Sequence, residues 1–160
     1  MKEILHQQDA GARRIADFTY LGLPSTYLLP AEQVLRVFHS LDRHLARRPR
    51  QHWVAELADG VLQRETAMLL GSEAVIDRID RLVLAATDAS AALGALTILS
   101  ERYGLVPDAI SGLVGSSPLG RAELGAETPI PVIDNLDPDL HTLADALLGE
   151  RRPVALTAAG

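Results

Sequence analysis

The stretch Trp53-Val54-Ala55-Glu56-Leu57-Ala58-Asp59-Gly60-Val61-Leu62-Gln63-Arg64-Glu65 decides how the chain is read. Two short apolar segments flank Asp59-Gly60, and a two-residue Asp-Gly connection suits the hairpin turn whose central residues both take positive φ. A second break at Gly71-Ser72 would fold residues 74–84 back again, with Val75, Ile76, Ile79, Leu82 and Val83 as the apolar positions. The expected product is three antiparallel strands in succession. Periodicity alone leaves a competing reading open, because the same positions also fit a helical repeat. In that case residues 52–84 are helices, with Ser72 as an N-cap.

On the amino-terminal side, Pro30–Arg47 reads as a helix: proline suits the first turn, and Val34, Phe38, Leu41 and Leu45 recur at helical spacing. Pro49 ends it. Leu23-Pro24-Ser25-Thr26 reads as a turn, and residues 1–29 form an amino-terminal extension in which residues 3–18 read as another helix, weakened by Gly11. On the carboxyl-terminal side, residues 88–103 are rich in Ala and Leu and close on Gly104, a helix with a glycine cap. Residues 106–138 are rich in proline and glycine and read as a long loop or lid. Thr142–Leu148 and Pro153–Ala158 flank Gly149-Glu150-Arg151-Arg152 as a last hairpin, or Pro138 starts a short helix through Leu148. The expected architecture is α+β over one domain, residues 1–160: an antiparallel β-sheet meander with flanking helices.

The totals bound the function. A chain of 160 residues with 48% hydrophobic and 22% charged residues is long and apolar enough for a real core. The absence of cysteine removes disulfides, thiolate metal sites and cysteine nucleophiles, and points to a reducing, cytoplasmic setting. No signal peptide and no membrane-length apolar run is visible. The net charge of −6 disfavours nucleic acid as a general partner. The basic run from Arg43 to His52 has few interleaved aromatics and reads as a solvated helix end.

Motif chemistry is mostly excluded. His39 and His44 are five apart and face different sides of a helix, so no metal site is expected. Asp134, Asp137 and Asp139 alternate with Leu136 and Pro138, which supply no side-chain oxygens, so a cap-and-turn role replaces a calcium loop. Gly115-Ser116-Ser117-Pro118-Leu119-Gly120 lacks the lysine of a phosphate loop, and no Gly-x-Ser-x-Gly elbow occurs. A site without metal, nucleophile or dinucleotide cofactor is left.

Four segments in order resemble the chorismate pyruvate-lyase superfamily: Ser40-Leu41-Asp42-Arg43-His44-Leu45, Val61-Leu62-Gln63-Arg64-Glu65, Asp80-Arg81-Leu82-Val83-Leu84 and Ser117-Pro118-Leu119-Gly120-Arg121. A fifth, Gly149 to Thr157, resembles the family's closing hairpin. The resemblance implies an antiparallel sheet around a cavity for a small acidic metabolite, bound by a monomer or homodimer without cofactor. Arg64 would hold a substrate carboxylate and Arg81 would be a second cation in the cavity. Leu41, Leu119 and Gly120 would line or close it. The alternative for both arginines is pairing with Glu65, Asp77 or Asp80 on a solvated face. The family's catalytic glutamate follows a Leu-Thr pair, and here Leu156-Thr157 is followed by Ala158. Loss of a general acid typically costs about 10²–10⁴-fold. The implied activity is therefore a diverged lyase or cyclase of secondary metabolism, with Arg64 and Asp80 as catalytic candidates. The other readings are a ligand-binding module without catalysis, an authentic chorismate pyruvate-lyase whose acid is relocated to Asp77, Asp80 or Glu65, and a helical interaction protein.

Overall fold

The computed structural model describes residues 2–46, 52–134, 136, 147 and 148. The chain divides into two compact units, Met1–Arg78 and Ile79–Gly160.

The first unit is helical. Helix α1 spans Lys2–Asp9, a 3-10 turn covers Phe18–Leu21, and α2 (Ala31–Leu45), α3 (Arg64–Leu70) and α4 (Glu73–Ile76) follow. Pro30 takes the N-cap position of α2, where its missing N–H costs nothing. Val34 and Phe38, one turn apart, are buried on the face that meets α3, and Trp53 stacks against the Phe38 ring at 5.5 Å between centroids. Leu70 and Val75 complete the apolar interior. Arg78 meets Asp42 through two parallel hydrogen bonds of 3.0 and 2.9 Å, a fork that ties the chain after α4 to α2.

The antiparallel meander expected over residues 52–84 is not what forms. Only Asp59 of the Asp59-Gly60 pair takes a positive φ, so the double left-handed turn that would reverse a hairpin is missing. After that bend Gln63 caps a helix, its side chain accepting from the Thr66 amide at 2.9 Å. Arg64, Glu65, Ala67, Met68, Leu69 and Leu70 are all good helix formers. Gly71 ends α3 and Ser72 takes the N-cap position of α4, so the helical reading holds over Arg64–Leu70 and Glu73–Ile76, while residues 52–63 are irregular and Val83 begins a strand.

The second unit holds the only sheet among the described residues, and it is parallel. Strand β1 (Val83–Ala85) leads through α5 (Ala89–Tyr103) to β2 (Ala109–Ser111), in the register Val83↔Ala109, Leu84↔Ile110 and Ala85↔Ser111. Helices α6 (Leu113–Ser116) and α7 (Pro118–Glu127) then lead to Val132, which bridges Ile110 in parallel. Residues 106–134, read from composition as a loop or lid, thus carry a strand and two helices. Pro118 sits in the first turn of α7 behind Ser117, whose hydroxyl accepts from the Gly120 amide. Helix α5 closes on the expected Gly104, at φ 64°, and starts behind Asp88, whose side chain accepts from the Ala91 amide. Ala89, Ala92, Ile110, Val114, Leu124 and Ile130 form the core between sheet and helices. Of the last hairpin or short helix only Leu147 and Leu148 are described, and they are helical; the fifth family-like segment lies outside the described residues.

Glycines set how closely the second unit closes. A Cβ on Gly112, at φ +94°, would stand 2.6 Å from the Ala86 carbonyl oxygen, and one on Gly115 would overlap the Ile133 carbonyl. Gly94 in α5 and Gly125 in α7 face open space. We expect Gly115→Ala to destabilise the protein by about 2 kcal/mol or more, and Gly94→Ala to stabilise it by roughly 0.5–1 kcal/mol. Urea unfolding of both variants checks the contrast, and equal shifts would contradict the packing described.

Candidate functional site

The described chain buries two polar or charged side chains, Glu65 and Thr66, at the start of α3. It also has two non-glycine residues at positive φ, Leu28 at 60° and Asp59 at 67°. These features coincide. The Leu28 amide donates to Glu65 Oε1 at 2.7 Å, and the Thr66 hydroxyl donates to the carbonyl of Ala58, the residue before Asp59, at 2.8 Å. Backbone strain of this kind costs about 1–3 kcal/mol per residue and persists only where its surroundings enforce it, often at functional positions.

Glu65 is the hub. Its side chain also accepts from Gln63 Nε2 and, at 2.8 Å, from Arg64 Nη1. Burial disfavours its charge, but the Leu28 amide, its own amide, Gln63 and Arg64 together outweigh burial and hold the carboxyl below its ordinary value of 4.5. Arg64 Nη1 reaches further, donating to the Leu29 carbonyl at 3.1 Å. The loop of residues 25–29 is thus tied to α3 at two successive peptide groups. Arg64 remains 45% exposed, and its Nε and Nη2 make no hydrogen bond to any described residue. Tyr27, Leu28 and Leu62 stand exposed beside these ties in the chain.

The other residues singled out from the sequence fall elsewhere. Arg81 lies in the second unit, ahead of β1, and Arg64 in the first. Arg81 donates to the Asp80 carbonyl at 3.2 Å and stands 3.9 Å from Asp108. Asp108 accepts from the Leu82 amide at 2.8 Å, so this group staples the starts of β1 and β2 together. Asp80 is exposed beside it. Leu41 is half-buried on α2, Leu119 is exposed on α7, and Gly120 is buried under Val114. The family-like segments around Arg64 and Leu119 are helix starts, not the strand and loop the resemblance implied. Asp134 has the cap-and-turn role expected of it, accepting from the Leu136 amide at 3.0 Å and pairing with Arg121 at 3.0 Å.

The sequence offers Glu65 as one of three partners for Arg64, and that pair forms at 2.8 Å, but on a buried carboxylate and not a solvated face; nothing in a Gln-Arg-Glu-Thr run says that this side chain will be enclosed. Leu28 carried no signal at all, since leucine is a rare residue at positive φ. Among the described residues no group of three or more His, Asp or Glu is placed to hold a metal ion, and no helix is long and apolar enough to cross a membrane. No family model, curated protein or solved structure matches the chain.

A carboxyl held below its unfolded value contributes stability that is present above about pH 4.5 and is lost as pH falls through the folded value. Asp88, also lowered, mainly by the Ala91 amide and the Thr87 hydroxyl, acts in the same direction. Denaturant unfolding followed from about pH 6 to about pH 3 is expected to show a steeper loss in the wild type than in Glu65→Gln. Parallel profiles would mean that Glu65 is not held as described.

Proposed function

We propose that the protein binds a small acidic metabolite through Arg64. The observation that carries this reading is a half-exposed guanidinium, anchored at one nitrogen by a buried carboxylate and a loop carbonyl, with its remaining donors directed to no described residue. Such a fork suits a carboxylate or phosphate, which accepts two parallel hydrogen bonds. Glu65 orients the cation and also competes with the ligand for it, so the expected affinity is modest.

Binding is favoured over proton transfer. A general acid must carry a proton near the working pH, whereas Glu65 is held ionised and is already occupied by donors. A lyase or cyclase acting on the same acid would need a donor that Glu65 does not supply. A second reading, docking of a protein partner, rests on the exposure of Tyr27, Leu28 and Leu62.

Isothermal titration with inorganic phosphate and with pyruvate tests the proposal. Arg64→Gln is expected to weaken both by about tenfold or more, and Glu65→Gln, which removes the competing charge, to tighten them. Equal affinities in wild type and Arg64→Gln would defeat the reading. Chorismate incubated with the protein is expected to release no pyruvate.

A further inference from the structure

In residues 25–29 Ser25, Tyr27 and Leu28 are exposed and Thr26 and Leu29 only half-buried, so apolar packing holds this segment weakly. Within it, the Tyr27 amide donates to the Ser25 hydroxyl at 3.0 Å and the Leu29 amide to the Thr26 carbonyl at 3.2 Å. Its described ties to α3 are two: the Leu28 amide on Glu65 and the Leu29 carbonyl on Arg64. Both end on one ion pair, and one nitrogen, Arg64 Nη1, serves the carbonyl and the carboxylate together. The segment is also strained, because Leu28 sits at φ 60°. A surface segment under strain and held by few hydrogen bonds belongs to the low-stability end of a protein, where opening is local.

We infer that residues 25–29 form a strap latched by the Glu65–Arg64 pair, and that anion binding at Arg64 and release of the strap are coupled. This rests on the anion-binding reading of Arg64. An anion beside the guanidinium is repelled by the Glu65 carboxylate, so the two cannot share the cation comfortably. Drawing Arg64 outward frees the Leu29 carbonyl and weakens the hold on Glu65, and the strain at Leu28 then favours the open strap. Coupling is reciprocal: whatever stabilises the closed strap must weaken the anion by the same factor.

Amide hydrogen exchange on the full chain tests this, because the Leu28 amide is the latch itself. With saturating inorganic phosphate its exchange is expected to accelerate by about tenfold, while amides in the core of α2 stay unchanged. Leu28→Gly removes the penalty of a left-handed leucine without opening a cavity, since Leu28 is 63% exposed. In that variant the residue-28 amide is expected to exchange about fivefold more slowly, with phosphate binding weakened by a similar factor. Phosphate that binds while Leu28 exchange stays constant or slows overturns the coupling. If phosphate does not bind, the anion reading fails, and the strap is judged on Arg64→Gln alone: exchange at Leu28 about tenfold faster without ligand supports the latch, and unchanged exchange removes it.

Discussion

A carboxylate enclosed by protein is tolerated only if donors replace the water it has lost, and Glu65 obtains them from three separate places. The Leu28 amide comes from the loop before α2, Gln63 from the cap of α3, and Arg64 from the helix itself. The first unit therefore joins two irregular stretches, residues 25–29 and 58–63, at one anionic centre. The Thr66 hydroxyl on the Ala58 carbonyl extends the same arrangement by one residue. The apolar layer of Val34, Phe38, Leu70 and Val75 sets where the helices lie, but the loops depend on this polar centre for their conformation, including the two left-handed residues.

The second unit is held on different terms. Its parallel strands are short and its core is built from small and medium aliphatic side chains, so closeness of approach matters more than side-chain bulk. Gly112, Gly115 and Gly120 let backbone meet backbone at the ends of β2 and α6. Charged pairs bracket the sheet at its two ends: Arg81 with Asp108, both mostly buried, and Arg121 with Asp134, which is more exposed and contributes only modestly to stability.

What was legible in the sequence was whatever had a local cause. Helix α2 follows from its apolar repeat behind Pro30, and α5 from an Ala- and Leu-rich run that closes on Gly104. Over residues 52–84 turn chemistry points to a hairpin, and helix propensity from Arg64 to Leu70 overrides it. Asp59 does adopt the left-handed conformation that an Asp-Gly turn needs, but Gly60 does not follow it, and the run from Arg64 to Leu70 was free to coil. The prolines and glycines of residues 106–134 suggest irregular structure by composition, but Pro118 starts a helix and Gly112, Gly115 and Gly120 permit close packing. Of the candidate site, Arg64 was visible as a cation, but the enclosure of its neighbour depends on residues 37 positions away and could not be read locally.

The central claim is that Glu65 is an ionised, enclosed carboxylate bonded to the Leu28 amide. A nuclear magnetic resonance titration of the Glu65 carboxyl carbon, followed together with the Leu28 amide, measures this directly. The account predicts a midpoint below 4.5 and a Leu28 amide shift that titrates with it. A midpoint at or above that value, or a Leu28 amide indifferent to the titration, would contradict it.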